Sequence, residues 1–146
     1  MDSVKILQER ISGSYHLKSV NEQGNFVETD GSPAIGGEGN GVRPMELLLA
    51  SLGSCSTIDV VLILEKQRQK LDDIKVEISA TKKKVENHSE FDQIHLHFKL
   101  FGDIKPQKAK KAIDLSMEEY CSVAMILKKT ATISYDFEIL PKEDEG

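Results

Sequence analysis

The run RPMELLLASLGSCSTIDVVLILEKQRQKL, Arg43 to Leu71, decides how this chain folds. Up to Leu64 it is apolar on nearly all sides of a helical wheel, the mark of a helix enclosed by protein. Pro44, with its fixed φ and no N–H to lose, suits a first helical position. From Glu65 onward polar residues take over. The pattern predicts one helix over 44–70, about 40 Å long at 1.5 Å per residue. In its middle stand Gly53, Ser54 and Cys55, flanked by Ser51, Ser56 and Thr57. A glycine inside a helix costs about 1 kcal/mol relative to alanine. Gly53 therefore needs a reason of packing or access, and the small neighbours leave space around a thiol.

Upstream, VKILQERISGSYHLKSVNEQGNFVETDGS alternates apolar and polar residues between breaks at Ser12-Gly13, Gln23-Gly24 and Asp30-Gly31. This predicts an antiparallel strand meander over residues 1–30. PAIGGEGNGVR follows and predicts a glycine-rich loop, 31–43, without regular structure. No Lys-Ser/Thr follows its glycines, so it matches no phosphate-binding fingerprint and reads as a linker or lid. Downstream, Ile74, Val76 and Ile78 alternate with Lys75, Glu77 and Ser79, and Ile94, Leu96, Phe98 and Leu100 alternate with His95, His97 and Lys99. These are two strands joined through ENHSE, Glu86–Glu90. PQKAKKAIDLSMEEYCSVAMILKKTA begins a helix at Pro106. A break is expected near Tyr120, with Ser122 capping a second short helix, Val123 to Lys129. TISYDFEIL closes the chain with Ile133, Tyr135, Phe137 and Ile139 on one face of a strand. Residues 71–140 thus read strand, strand, helix, helix, strand. Segregated strands and helices imply a single α+β domain over 1–146, its antiparallel sheets wrapped around the long helix.

With 146 residues, 39% of them hydrophobic and 29% charged, the chain has the size and composition of a globular domain with its own core. Nineteen Lys and Arg against 24 Asp and Glu leave a net charge of −5, which argues against nucleic acid as a partner. The lysines at 82–84 and 108–111 read as a solvated turn and a solvated helix face. MDSVKILQER lacks the charged start and apolar run of a signal peptide. The apolar run inside the long helix reads as shorter than the roughly 20 residues that span a bilayer. No membrane partner is expected, the location is read as cytoplasmic, and the two cysteines are read as thiols. The PKEDEG tail is expected to fray.

Cys55 and Cys121 are the residues that can carry chemistry. A free cysteine often packs as a small hydrophobe, but the open surroundings of Cys55 point the other way. Cys121 stands at a predicted helix start, where free N–H groups favour a thiolate. Cys55 lies about three turns inside its helix, beyond that help. His95 and His97 share a strand face, yet Lys99 continues it, so a solvent-facing side is read there rather than a metal site.

PMELLLASLGSCSTIDVV, taken with DLSMEEYCSVAMILKKTATISYDFEI, resembles the OsmC/Ohr family, over about residues 30 to 140. It is most similar to the subgroup of uncharacterised bacterial proteins whose helix opens Pro-Met-Glu. The resemblance implies an intertwined homodimer, two long helices wrapped by sheets, with two sites at the dimer interface. It implies a cysteine-based peroxidase acting on organic hydroperoxides without metal or organic cofactor. Cys55 would be the peroxidatic thiol and Cys121 the resolving one, with a dithiol reductant resetting the pair. The alternative is a non-peroxidatic thiol sensor, or a binder of an apolar or electrophilic ligand at the dimer cleft. In the family's peroxidases an acid directly follows the helix-opening proline and works with an arginine. Here that position is Met45, about 80° around the helix from Cys55, and the acid is Glu46, about 180° away. Glu46 reads first as a favourable acid at a helix start. The supporting arginine falls to Arg10 or Arg43, the third arginine being Arg68.

Overall fold

The computed structural model describes residues 2–142, so residues 143–146 of the tail lie outside the described residues. The chain divides into two compact units, residues 1–48 and 49–146. In the first, β1 (Leu7–Ser12), β2 (His16–Val20) and β3 (Phe26–Thr29) form an antiparallel sheet in the order β1-β2-β3, as the alternation predicts. The glycine-rich stretch is more ordered than expected. It holds a short 3-10 turn, Pro33–Ile35, and returns to bridge Val42 to Thr29. Buried Asp30 ties it down. One carboxylate oxygen accepts from the Gly31 N–H (2.8 Å), the other from Glu38 N–H (3.2 Å) and Asn40 N–H (3.1 Å). The Asn40 bond in particular holds the Asp30 carboxyl below its usual range. A Cβ at Gly37 would collide with the Gly31 carbonyl oxygen, so only glycine fits there.

The long helix α1 (Pro44–Lys66) runs from the first unit into the second. It ends at Lys66 rather than Lys70. Arg68 takes a left-handed φ of 58°, its N–H bonds Glu65 O (3.0 Å), and Gln69 N–H bonds Leu64 O (3.0 Å). That pair of bonds closes a helix C-terminus, and arginine occupies the place usually given to glycine. Lys70 already belongs to β4.

The second unit carries β4 (Lys70–Val85), β5 (His88–Asp103) and β6 (Thr132–Leu140) in the order β4-β5-β6. β4 and β5 are antiparallel and longer than expected. Their turn shrinks to Glu86 and Asn87, and His88–Glu90 join the strand. Lys82–Lys84 are accordingly exposed strand residues and not a turn. β6 departs from the antiparallel expectation and runs parallel to β5, with Leu96 opposite Tyr135. A parallel neighbour requires a crossover. Here it is supplied by α2 (Pro106–Leu115), a π turn (Ser116–Tyr120) and α3 (Ser122–Leu127). The short helix starts one residue earlier than predicted. Cys121, not Ser122, is its cap, and its Sγ accepts from the Ala124 N–H at 3.4 Å.

Ile94, Leu96, Phe98 and Leu100 of β5 are fully buried, as their alternation requires. α1 contributes Leu52, Val60 and Leu64, each worth about 1.5–3 kcal/mol when fully buried. Gly53 lies on the same stripe. A Cβ there would stand 2.7 Å from Ile78 Cδ1, so the strand side chain fills the place a helix side chain would take. The sequence left Gly53 between packing and access; packing against β4 is the observed reason.

The expectation of a helix enclosed on nearly all sides is not met within this chain. Ile58 is 64% exposed and Leu62 48% exposed. By length and composition α1 is also apolar enough to cross a membrane, contrary to the sequence reading, and 28% of its most apolar stretch is buried. Ser54, Cys55, Ser56 and Thr57 interrupt the continuous apolar run, whereas mean hydropathy averages across them.

Candidate functional site: a thiol pair on a helix and a widened turn

α1 and the end of the crossover bring together two cysteines that lie far apart in sequence. Both are free thiols. Cys55 is half-buried on α1, and Cys121, at 0% exposure, lies close enough to it for the two thiols to influence each other. Burial pushes the Cys121 thiol up to about 11, and proximity to Cys55 and Asp59 adds to the rise. The Ala124 N–H acts in the opposite direction and is outweighed. The helix-start argument for an acidic Cys121 is thereby corrected: the free N–H is present, but loss of water costs the thiolate more.

Two polar residues complete the cluster, and sequence reasoning missed both. Ser116, fully buried, shares its hydroxyl proton between Asp59 Oδ2 (2.9 Å) and Ser56 O (3.3 Å). Asp59 stands one helical turn after Cys55, on the same face of α1. Its signal was available, an acid inside an otherwise apolar run. Ser116 had none, because its position depends on the π turn.

The other candidates lie elsewhere. Glu46 Oε1 accepts from the Arg43 N–H (2.8 Å), and Leu47 N–H bonds Arg43 O (3.0 Å). Glu46 therefore closes the start of α1 in the manner of a capping box. Arg43 is exposed beside it, and Arg10 is exposed on β1, opposite Leu17. His95 and His97 lie on one face of β5 and share the Asp136 carboxylate (3.1 and 2.7 Å). That hydrogen bond raises the His97 pKa. Among the described residues no group of three or more His, Cys, Asp or Glu side chains is arranged to hold a metal ion.

The architecture is that of a known α+β class, two three-stranded sheets with one long helix. It is shared with a hypothetical protein from Aquifex aeolicus at a TM-score of 0.83 and 29% identity, over 98% of this chain and all of that one. An organic hydroperoxide resistance protein from Elizabethkingia anophelis shares the fold at a TM-score of 0.73 and 14% identity, over 96% of this chain and 98% of that one. In sequence the chain is 42% identical to protein YhfA of Escherichia coli K12 over 98 residues, 66% of this chain and 72% of YhfA. The family model described as OsmC-like protein matches residues 37–136, which include both cysteines. The chain belongs to the OsmC-like protein family.

Proposed function

We propose that this protein is a two-cysteine thiol peroxidase reducing organic hydroperoxides in oxidative stress defence, with Cys55 peroxidatic and Cys121 resolving. The observation that supports this reading is the juxtaposition of a half-buried thiol and a fully buried one. Accessibility supports this division of roles. A peroxide can approach Cys55, while Cys121 is sealed and holds its proton well above neutral pH, which makes it a poor first nucleophile. In the first step Cys55–SH and ROOH give Cys55–SOH and ROH. In the second, Cys121 sulfur displaces the sulfenic oxygen, which leaves as water with the thiol proton, and the Cys55–Cys121 disulfide forms. A dithiol reductant then returns two hydrogens by exchange. The electrons come from sulfur throughout, so the cycle calls for no metal or organic cofactor. A reduced resting pair suits a reducing cytoplasm.

The working unit in this reading is a homodimer. The apolar side chains Ile58, Val61 and Leu62 project from α1 into solvent, and Ile6, Leu7 and Phe26 do so from the first unit. Exposed apolar surface of this kind marks an interface, and a second copy supplies a matching one. Light scattering at micromolar concentration is expected to give twice the chain mass, and a stable folded monomer would overturn the dimer.

Intact mass spectrometry tests the chemistry. One equivalent of cumene hydroperoxide is expected to remove two hydrogens from the reduced chain, and Cys121→Ser to stop at one added oxygen on Cys55. Both thiols remaining free under excess peroxide would refute the reading.

A further inference from the structure

The crossover between β5 and β6 contains one irregular feature, and it lies at the thiol pair. α2 does not continue as an α-helix. From Ser116 the chain widens into a π turn, closed by a 2.8 Å bond from Cys121 N–H to Ser116 O, five residues back. In an α-helix, residues five apart point about 140° away from each other. A five-residue bond ring instead stacks Cys121 one turn above Ser116, so both look toward α1. Single π turns inside helices are rare and often mark functional sites. Here the turn is fastened at several points. Lys128 Nζ bonds Met117 O (2.6 Å), a carbonyl within the turn. The Tyr135 hydroxyl of β6 is shared between Asp114 (3.0 Å) and Glu118 (3.1 Å). Ser116 is fastened to α1 through Asp59 and Ser56.

We infer that Asp59, acting through Ser116, is a positioning residue for disulfide closure: it holds the π turn against α1 so that Cys121 meets the sulfur of Cys55. The inference rests on the peroxidase reading and adds to it a residue that acts on the second step. The carboxylate is suited to this task. Ser116 is fully buried, and its hydroxyl has no water to turn to, so without Asp59 only the longer bond to Ser56 O ties the Ser116 hydroxyl to α1. The charge has a further effect. Cys121 is faced by Cys55 and Asp59 on α1 and by the Ala124 N–H on α3, while Lys128 and Glu118 bond at the turn itself. Asp59 is the anionic member facing the thiol, and its charge favours the protonated thiol until closure.

The test follows the two steps separately in stopped-flow experiments with cumene hydroperoxide, trapping the sulfenic acid with a dimedone-type probe. Ser116→Ala is expected to slow closure about tenfold, the worth of one buried hydrogen bond, beyond any change in the first step. The isosteric Asp59→Asn keeps an acceptor for Ser116 and should leave closure within about threefold of wild type. It also removes the charge, so the pH profile of closure should move to lower pH. A merely structural role would not move that profile. Closure at the wild-type rate in Ser116→Ala, or an unshifted profile in Asp59→Asn, would overturn the inference. If Ser116→Ala does not fold, Asp59→Ala, which removes the acceptor and leaves Ser116 in place, decides: slowed closure supports the inference and closure at the wild-type rate overturns it. If wild type forms no disulfide, the peroxidase reading itself has failed. Absorbance titration of the Cys121 thiolate in Cys55→Ser, with and without Asp59→Asn, then still tests the Asp59 charge, and an unchanged pKa refutes it.

Discussion

Gly53 places α1 close to β4, and a double-mutant cycle with Ile78 measures that approach. In Gly53→Ala the new Cβ would stand 2.7 Å from Ile78 Cδ1, with Cγ1 next at 3.5 Å. Carbon atoms prefer about 3.5–4.0 Å, so Cδ1 must retreat by roughly 1 Å. Overpacking of this size costs about 1–3 kcal/mol, while alanine in place of glycine returns about 1 kcal/mol of helix propensity. The single variant should lose about 1 kcal/mol net. Ile78 is half-buried, and Ile78→Val, which removes the Cδ1 methyl, should lose about 0.5–1 kcal/mol. In the double variant the alanine methyl occupies the vacated space, and stability should return close to wild type. Additive losses would total about 1.5–2 kcal/mol, so the expected coupling is about 1.5–2 kcal/mol in favour of the pair. Urea unfolding at one fixed protein concentration reads all four proteins, the fixed concentration removing any contribution from association. A Gly53→Ala variant more stable than wild type, with an additive double variant, would refute the close approach as the reason for the glycine.

Cys121 should ionise late. In reduced protein the difference in thiolate absorbance between wild type and Cys121→Ser should rise near pH 11, and a rise complete below 9.5 would contradict the burial argument. The folded state holds this proton more tightly than the unfolded chain, whose value is 9.0, so the associated stability is full below pH 9 and lost as pH climbs through about 11. Arg68→Gly should stabilise the chain by about 0.5–1 kcal/mol, because the left-handed backbone at this helix end costs a side-chain residue and not a glycine. An unchanged urea midpoint would show that arginine bears no strain there.

The period-2 and helical patterns were legible in the sequence because burial is read along one element at a time. Ile94, Leu96, Phe98 and Leu100 alternate and are buried, and Pro44 begins the helix it was expected to begin. Glu46 was legible as a helix-start acid for the same reason, since its partner is three residues away. Cys55 and Cys121 stood out as residues, and the family resemblance implied a role for each. Their proximity and the burial of Cys121 came from three-dimensional structure alone. The acidity of Cys121 was misjudged because a local feature, the free N–H, was visible and the burial that outweighs it was not. The parallel pairing of β6 was also hidden, since strand direction depends on how the crossover returns. Asp59 and Ser116 belong to the same class, because a buried hydrogen bond between residues 57 positions apart leaves no periodic trace in either segment. The sequence determined the elements, through side-chain periodicity and helix-end chemistry, together with the two cysteines as candidates for chemistry. Tertiary structure decided which atoms meet and how deeply they are buried, and dehydration on burial then sets the proton affinity of the thiol.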